Sequence, residues 1–223
     1  MDLPNIIRNF KSEASRVGYG KAAWQFLYEI VNRLLHIRRF DVIFLTREHL
    51  LPLDPAKYAR HGSRLATEAD LQRMRHEGGW HIGDELIDGF RNGDACLLST
   101  VDGKIAGYTW VHTLGRPLLI PGLRISIPGN YAYNFAGFTP PEYRGYGLQP
   151  FRHHEVLNRP EWRDKAGMIG YVDATNFSSK KGQSKSGYQR LGRLTLIGSK
   201  KHFIVLVSQE LKQLGIRRLP SNL

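Results

Sequence analysis

The sequence contains one cysteine, Cys96, among its 223 residues. A disulfide within the chain and a cysteine-based metal cluster are therefore excluded. No continuous apolar run reaches the ~18 residues that a membrane-spanning helix needs. The first residues, MDLPNIIRNFKSEASR, lack the charged, apolar and small-residue order of a secretory signal. These absences predict a cytoplasmic protein.

Acidic residues are also scarce: 20 Asp and Glu stand against 32 Lys and Arg, which gives a basic protein with a formal net charge of +12. The imbalance is strongest in residues 177–223, where ten Lys and Arg face a single acid, Glu210. A positive field of this kind attracts phosphate groups, nucleic acid, an acidic protein or an anionic membrane surface.

The chain does have the material for a core, because 41% of its residues are hydrophobic and 11% are aromatic. Apolar residues in KAAWQFLYEIVNRLLHIRR recur at the spacing of an amphipathic helix, and FDVIFLTREHL follows as a strand. We expect this helix to pack on the core or on a second copy in a homodimer; peripheral contact with a membrane is the alternative. Residues 1–58 are predicted to form an N-terminal extension, before a main domain of residues 59–223.

The main domain reads as alternating helices and strands. Thr67 and Asp70 predict a capped helix start. The segment ACLLSTVDGKIAGYTWVHTL predicts a hairpin, with a bulge or a close approach of another chain segment at Gly107. Later segments predict the strand YAYNFAGF, the helix LQPFRHHEVLN, the strand AGMIGYVDATN, a helix SKSGYQRLG that ends at Gly192, and a closing strand pair. This order predicts an α/β fold with a mostly antiparallel sheet and one parallel pair.

The segment PPEYRGYGLQP, residues 140–150, places two glycines between a predicted strand and a predicted helix. Glycines at 145 and 147 let the backbone turn its N–H groups towards an anion, and the helix N-terminus and Arg144 add positive charge. The loop lacks the Lys-Ser/Thr of a P-loop and a complete GxGxxG, so neither a P-loop NTPase nor a nicotinamide enzyme is expected.

These residues resemble the pyrophosphate-binding loop of the GCN5-related N-acetyltransferase (GNAT) superfamily, whose motif reads Arg/Gln-x-x-Gly-x-Gly/Ala. Here Gln149 stands at the last position, which is usually small. RLATEADLQRM, KIAGYTWV and GYQRLGR are similar to further family segments in the same order, over roughly residues 60–207. The resemblance implies a GNAT-like mixed sheet flanked by helices, with a splayed parallel pair of central strands. The N-terminal amphipathic helix lies outside it.

The resemblance also implies an acyl-CoA donor, usually acetyl-CoA, and no metal. The donor's pyrophosphate would lie on the loop, and its pantetheine arm would lie along the end of YAYNFAGF and near Asn176. The donor-binding residues implied in this way are Gly137, Phe138, Thr139, Arg144, Gly145, Tyr146, Gly147, Leu148, Gln149 and Asn176.

Direct attack of an amine on the thioester would need a proton acceptor and a proton donor. Tyr188 matches the family's acid tyrosine. The family often uses a Glu on its fourth strand as the base, but YAYNFAGF has no acid, so Asp173, followed by Glu85, is the candidate base. Asn134 would orient a water, and Tyr133 would lie on the acceptor side with Glu85. The adjacent His153 and His154 are not expected to chelate a metal, because neighbours on a helix point about 100° apart.

The implied acceptor is a small-molecule amine, and three alternatives stay open. The basic C-terminal region would suit an acyl carrier protein, so a long-chain N-acyltransferase using acyl-ACP or acyl-CoA is one of them. A non-catalytic CoA-binding module is another, because YAYNFAGF carries no acid. A nucleic-acid binder rests on charge alone and is not expected, since no DNA or RNA motif accompanies the charge.

Overall fold

The computed structural model describes residues 10, 14–15, 17–35, 37–114, 118–120, 123–198, 203–213, 215–216 and 218–219. Its helices are α1 (Tyr19–Leu35), α2 (Pro55–Tyr58), α3 (Glu68–Glu77), α4 (Asp84–Arg91), α5 (Leu148–Asn158), α6 (Phe177–Ser184) and α7 (Gln209–Gln213). The strands are β1 (Ile37–Thr46), β2 (His61–Leu65), β3 (Ala95–Val101), β4 (Lys104–His112), β5 (Leu118–Ile120), β6 (Leu123–Ile125), β7 (Tyr131–Phe138), β8 (Gly167–Asp173), β9 (Gln189–Gly198), β10 (Phe203–Val207) and β11 (Arg218–Leu219). Short 3₁₀ turns span Pro141–Tyr143 and Pro160–Trp162.

Eight strands form one mixed sheet in the order β10-β9-β1-β8-β7-β4-β3-β2. Of its neighbouring pairs only β7 and β8 run parallel, so the prediction of a mostly antiparallel sheet with one parallel pair is confirmed. The Pro-rich excursion between β4 and β7 contributes β5 and β6 to a second, three-stranded sheet with β11. Parts of that excursion, residues 115–117 and 121–122, lie outside the described residues.

The parallel pair splays apart after three residue pairs, Tyr131 with Gly167 to Tyr133 with Ile169. Beyond that point β7 follows β4, and β8 follows β1. A bulge in β7 accompanies the divergence, because Ala136 and Gly137 stand opposite the single residue Thr109 of β4. Ala136 has a φ of 45°, which is rare for a residue with a side chain. The splay opens a gap in the middle of the sheet.

Strand β1 is an inner strand, paired with β8 on one side and β9 on the other. Its side chains Phe40 and Val42 are buried in the same cluster as Ile169 and Leu194. The sequence placed this strand in an N-terminal extension, whereas the structure makes it part of the main sheet. The domain boundary at residue 58 stays a prediction.

Both faces of the sheet are covered. Helix α5 packs on one face, where Val156 and Leu157 meet Leu97, Val111 and other buried residues. Helices α3 and α4 cover part of the other face through Leu71, Met74 and Ile87. The strands therefore read as largely apolar runs, as expected for a sheet buried on both sides.

Two local predictions about turns and caps are confirmed. The β3–β4 hairpin turns through Asp102 and Gly103, both with positive φ (49° and 76°), as a type I′ turn requires. Thr67 and Asp70 form the predicted capping box at the start of α3.

The predicted bulge at Gly107 is confirmed by a register shift, since Ser99 faces Gly107 and Thr100 faces Ile105. The predicted helix SKSGYQRLG is wrong, because α6 ends at Ser184 and Gln189 already begins β9. Alternating apolar residues from Leu194 onwards pair along β1, and this pairing outweighs the local helical pattern.

Helix α1 exists as predicted, but several of its apolar side chains do not pack on the core. Trp24, Phe26, Leu27 and Ile30 are 57%, 38%, 51% and 44% exposed, whereas Ala22 is buried. The side chains of residues 31–35 lie outside the described residues. A second copy or a membrane surface as the covering partner stays a prediction. In the described part of the chain, no helix combines the length and the apolar character needed to cross a bilayer.

Candidate functional site

The glycine loop lies between the end of β7 and the N-terminus of α5. Gly145 and Gly147 have φ values of 92° and 77°, a left-handed conformation that favours glycine. A Cβ built on Gly147 would lie 2.6 Å from the hydroxyl oxygen of Tyr58, whereas one on Gly145 would meet nothing within 4 Å. The 11-residue helix α5 begins directly afterwards at Leu148. Its free N–H groups and dipole make this terminus suitable for an anion.

A cavity of about 1220 Å³ runs from this loop to the splay between β7 and β8. Most of the predicted site residues line it: Asn134, Gly137, Phe138, Thr139, Arg144, Gly145, Gly147, Leu148, Gln149, Asp173 and Asn176. The cavity is also lined by cationic side chains that the motif did not indicate, namely Lys57, Arg152, Lys181 and Lys185. Asp54 and Asp173 are the acids in this lining. This excess of positive over negative side chains in the lining favours an anionic ligand.

Two loop side chains point different ways. Arg144 is exposed, lines the cavity, and its Nε donates to the carbonyl oxygen of Thr139 at 3.4 Å. Tyr146 is 45% exposed but is absent from the cavity lining. The ring of His61 is hydrogen-bonded through Nε2 to the Tyr146 carbonyl oxygen at 3.0 Å. Tyr146 therefore supports the loop through its backbone, and its side chain lies outside the cavity.

Gln149, the departure from the family motif, is accommodated by α6. A Cβ on Gly182 would lie only 2.0 Å from the Oε1 atom of Gln149. The larger side chain on α5 is thus matched by a glycine on the helix that packs beside it. Helix α6 is itself anchored, because Lys180 forms an ion pair with the buried Asp41 of β1 and donates to the carbonyl oxygen of Ala174 at 2.7 Å.

Three predicted polar residues line the cavity but are already hydrogen-bonded. The carboxylate of Asp173 accepts from the backbone N and the hydroxyl of Thr175, at 3.0 and 2.7 Å. The amide oxygen of Asn134 accepts from the Thr109 hydroxyl at 3.2 Å. Asn176 caps α6 by accepting from the Ser179 backbone N at 2.9 Å. A carboxylate has further acceptor capacity, so Asp173 retains a lone pair for a ligand or water.

The structure does not bring Tyr188 to the cavity. Its ring packs on the cluster that contains Val156 and Leu157, edge-on to His153 at 4.8 Å between centroids. Burial raises the pKa of Tyr188 well above its ordinary value. A phenol in this position is a poor proton donor to a thiolate in the cavity. The motif match located a tyrosine at the right spacing, but Tyr188 lies between the end of α6 and the start of β9, with its ring packed in the core.

Tyr133 and Glu85 also lie outside the cavity lining. Tyr133 is 1% exposed and stacks between Phe135 and Tyr171, with centroid distances of 5.3 and 6.3 Å. Its hydroxyl has no hydrogen-bond partner in the structure as described, and burial raises its pKa. Glu85 is exposed in the first turn of α4. Of the predicted acceptor-side groups, neither is placed to touch a donor in the cavity.

His153 and Arg152 are buried functional candidates that the sequence reasoning missed. His153 lines the cavity and its Nδ1 is hydrogen-bonded to the hydroxyl of Ser186 at 2.7 Å. Burial, together with the charge of Arg152, lowers the pKa of His153 to about 3, so the ring is neutral. Helical periodicity would have placed both residues on the buried face of α5, but it could not show that a cavity reaches them. Among the described residues no group of His, Cys, Asp and Glu is arranged to hold a metal ion.

A buried Asp–His pair stands at the far end of β4, where the sequence indicated nothing. Asp94 is hydrogen-bonded to Nδ1 of His112, and both side chains are largely buried. His112 is directly opposite Tyr133 in the β4–β7 ladder. The pair fixes the orientation of the His112 ring.

No protein-family model matches the sequence, and no curated protein matches it significantly. Solved structures do match. An acetyltransferase from the GNAT family from Colwellia psychrerythraea is 11% identical with a TM-score of 0.52, and the match covers 72% of this chain and 55% of that one. A putative GNAT-family acetyltransferase from Novosphingobium aromaticivorans is 16% identical, with a TM-score of 0.49 and coverage of 72% and 63%.

A GCN5-related N-acetyltransferase from Kribbella flavida is 11% identical, with a TM-score of 0.48 and coverage of 74% and 61%. The chain thus spans between just over half and just under two thirds of the length of these three proteins. At such low identity the similarity concerns the fold. The backbone likeness to the Colwellia protein agrees with the mixed sheet and its splayed parallel pair, and this chain has the fold of the GNAT acetyltransferases.

Proposed function

We propose that this protein is an acyltransferase that moves an acyl group, most simply acetyl, from acyl-CoA to the amine of a small molecule. One observation carries the proposal: a single cavity joins the glycine loop at the start of α5 to the gap between β7 and β8. An extended donor fits this shape, with its phosphates at one end and its thioester at the other.

The phosphate end is supported by the loop's geometry. Gly147 has no space for a side chain, and Arg144 extends from the same loop into the cavity lining. The donor's pyrophosphate would lie on the backbone N–H groups of residues 145–149, where the α5 dipole favours negative charge. Lys57, Lys181 and Lys185 would face its remaining phosphate from the cavity rim.

The thioester end is supported by the β7 bulge. Ala136 and Gly137 are exposed and stand opposite one residue of β4, so the ladder leaves a backbone N–H group here without a cross-strand partner. This donor can polarise the acyl carbonyl and stabilise the oxyanion that forms on attack.

The acceptor enters from the opposite side of the gap, where Phe135 and Tyr171 form an aromatic wall. Its amine attacks the thioester carbon, a C–N bond forms, the C–S bond breaks, and CoA leaves as a thiolate. Asp173, directly or through a water held with Asn134, accepts the proton that the amine loses. The thiolate takes up a proton from water in the open cavity, because Tyr188 lies outside it.

The test is a thiol-release assay with acetyl-CoA and a panel of primary amines, with the amide product identified by mass. We expect release that depends on the amine and falls strongly in Asp173→Asn, while CoA binding by that variant stays unchanged. Asp164→Asn is the matched control, because its carboxylate is exposed and lies outside the cavity lining. Tight CoA binding with no amine-dependent release from any amine would reject the transferase and leave the non-catalytic CoA-binding module.

A further inference from the structure

Arg152 is a buried cation without a carboxylate partner among the described residues. It is 3% exposed, yet it lines the cavity. Its Nη1 donates to the hydroxyl of Ser99 at 3.2 Å and its Nη2 to that of Thr139 at 3.0 Å, and both acceptors are neutral. Its Nε has no partner in the part of the chain that the structure covers. A guanidinium has five N–H donors, so these contacts leave three unused.

A buried and unpaired charge is costly, and proteins rarely keep one without an anion. The fold makes special room for this one. A Cβ on Gly107 would lie 2.5 Å from Nη1 of Arg152 and 2.6 Å from the carbonyl oxygen of Phe138. The bulge in β4 and the glycine at 107 therefore admit the guanidinium to a place where no other described charge balances it.

Two arginines converge on Thr139. Arg152 donates to its hydroxyl from inside the cavity wall, and Arg144 donates to its carbonyl oxygen from the exposed loop. Like charges that share one neighbour repel each other, and an anion between them would convert that repulsion into attraction. Because helical side chains lean towards the N-terminus, Arg152 reaches back towards the loop that begins α5.

We propose that Arg152 is the buried half of a diphosphate site whose exposed half is Arg144 with the glycine loop. The inference rests on the proposed function only for the identity of the donor; the diphosphate group itself is read from the two arginines and the loop. Because one half is buried and the other exposed, the two halves should respond differently to salt. A contact with Arg144 is screened by salt, whereas a contact with Arg152 is largely protected from screening.

The experiment is calorimetric titration of inorganic pyrophosphate and of CoA into the full chain, at about 0.05 M and about 0.5 M NaCl. The variants are Arg152→Met, Arg152→Lys and Arg144→Gln, with Arg159→Gln as the control. We expect Arg152→Met to weaken binding of both ligands by about 10- to 100-fold at either salt concentration. Arg144→Gln should cause a loss of affinity that is smaller at high salt. Arg152→Lys should have an affinity between those of Arg152→Met and the unaltered protein, because lysine keeps the charge but not the paired N–H donors of the guanidinium.

Urea unfolding without ligand shows whether each variant is folded. Arg152→Met should be at least as stable as the unaltered protein, because methionine removes an unpaired buried charge. A folded Arg152→Met variant that binds pyrophosphate and CoA as tightly as the unaltered protein would overturn the inference, and would leave the proposed function standing. Arg152-dependent binding of pyrophosphate without binding of CoA would support the inference and reject the acyl-CoA donor. Binding of neither ligand to the unaltered protein would reject both.

Discussion

Substitution of Gly147, the second glycine of the loop, should show how closely the start of α5 packs against Tyr58. In Gly147→Ala, the new Cβ would lie 2.6 Å from the Tyr58 hydroxyl oxygen and 3.2 Å from two ring carbons. Tyr58 cannot simply turn aside, since its ring stacks on Phe151 and meets His61 edge-on. A left-handed residue with a Cβ costs about 1–2 kcal/mol, and overpacking adds about 1–3 kcal/mol.

Gly145→Ala is the matched control, because Gly145 also has a positive φ but a Cβ there meets nothing within 4 Å. Both variants incur the backbone cost, and only Gly147→Ala incurs the clash. In urea unfolding we therefore expect Gly147→Ala to lose at least about 1 kcal/mol more than Gly145→Ala. Tyr58→Phe in the Gly147→Ala background should recover part of the difference, since it removes the nearest atom. Equal losses for the two alanine variants would refute this description of the loop.

Three further outcomes concern stability. Gly107→Ala should cost about 2–4 kcal/mol in urea unfolding, because its Cβ would collide with both the Arg152 guanidinium and the Phe138 carbonyl. Thr67→Ala should cost about 1 kcal/mol through loss of the capping box of α3, and an unchanged midpoint would contradict that role. The bidentate hydrogen bond from Arg64, with help from Thr67, holds the pKa of Asp70 well below its ordinary value. Its contribution is therefore complete above about pH 4 and is lost as the pH falls below that value, so the unaltered protein should lose more stability than Asp70→Asn between pH 6 and pH 3.

Several structural features could be predicted from the sequence because each depends on only a few consecutive residues. The Asp102–Gly103 turn, the cap at Thr67 and the glycine loop before α5 each follow from the conformational freedom or hydrogen bonding of residues close together in the chain. The bulge at Gly107 followed in the same way from a glycine inside a strand.

Long-range pairing accounts for what the sequence did not predict. Strand β1 enters the sheet between β8 and β9, more than 120 residues away in the chain, and no local pattern indicates that neighbour. The same pairing draws the residues from Gln189 onwards into a strand, where the sequence predicted a helix. The burial of Arg152 was not predicted, because it depends on the bulge in β4 that makes room for the side chain.

The most direct test of an acyl-CoA site in this cavity is a thermal-shift titration with CoA, acetyl-CoA and a long-chain acyl-CoA, on the unaltered protein and on Arg144→Ala. We expect a rise in Tm that grows with ligand concentration, is smaller in the variant, and is largest for the acyl chain length that the gap between β7 and β8 accepts. No shift with any of the three ligands would contradict an acyl-CoA site in this cavity.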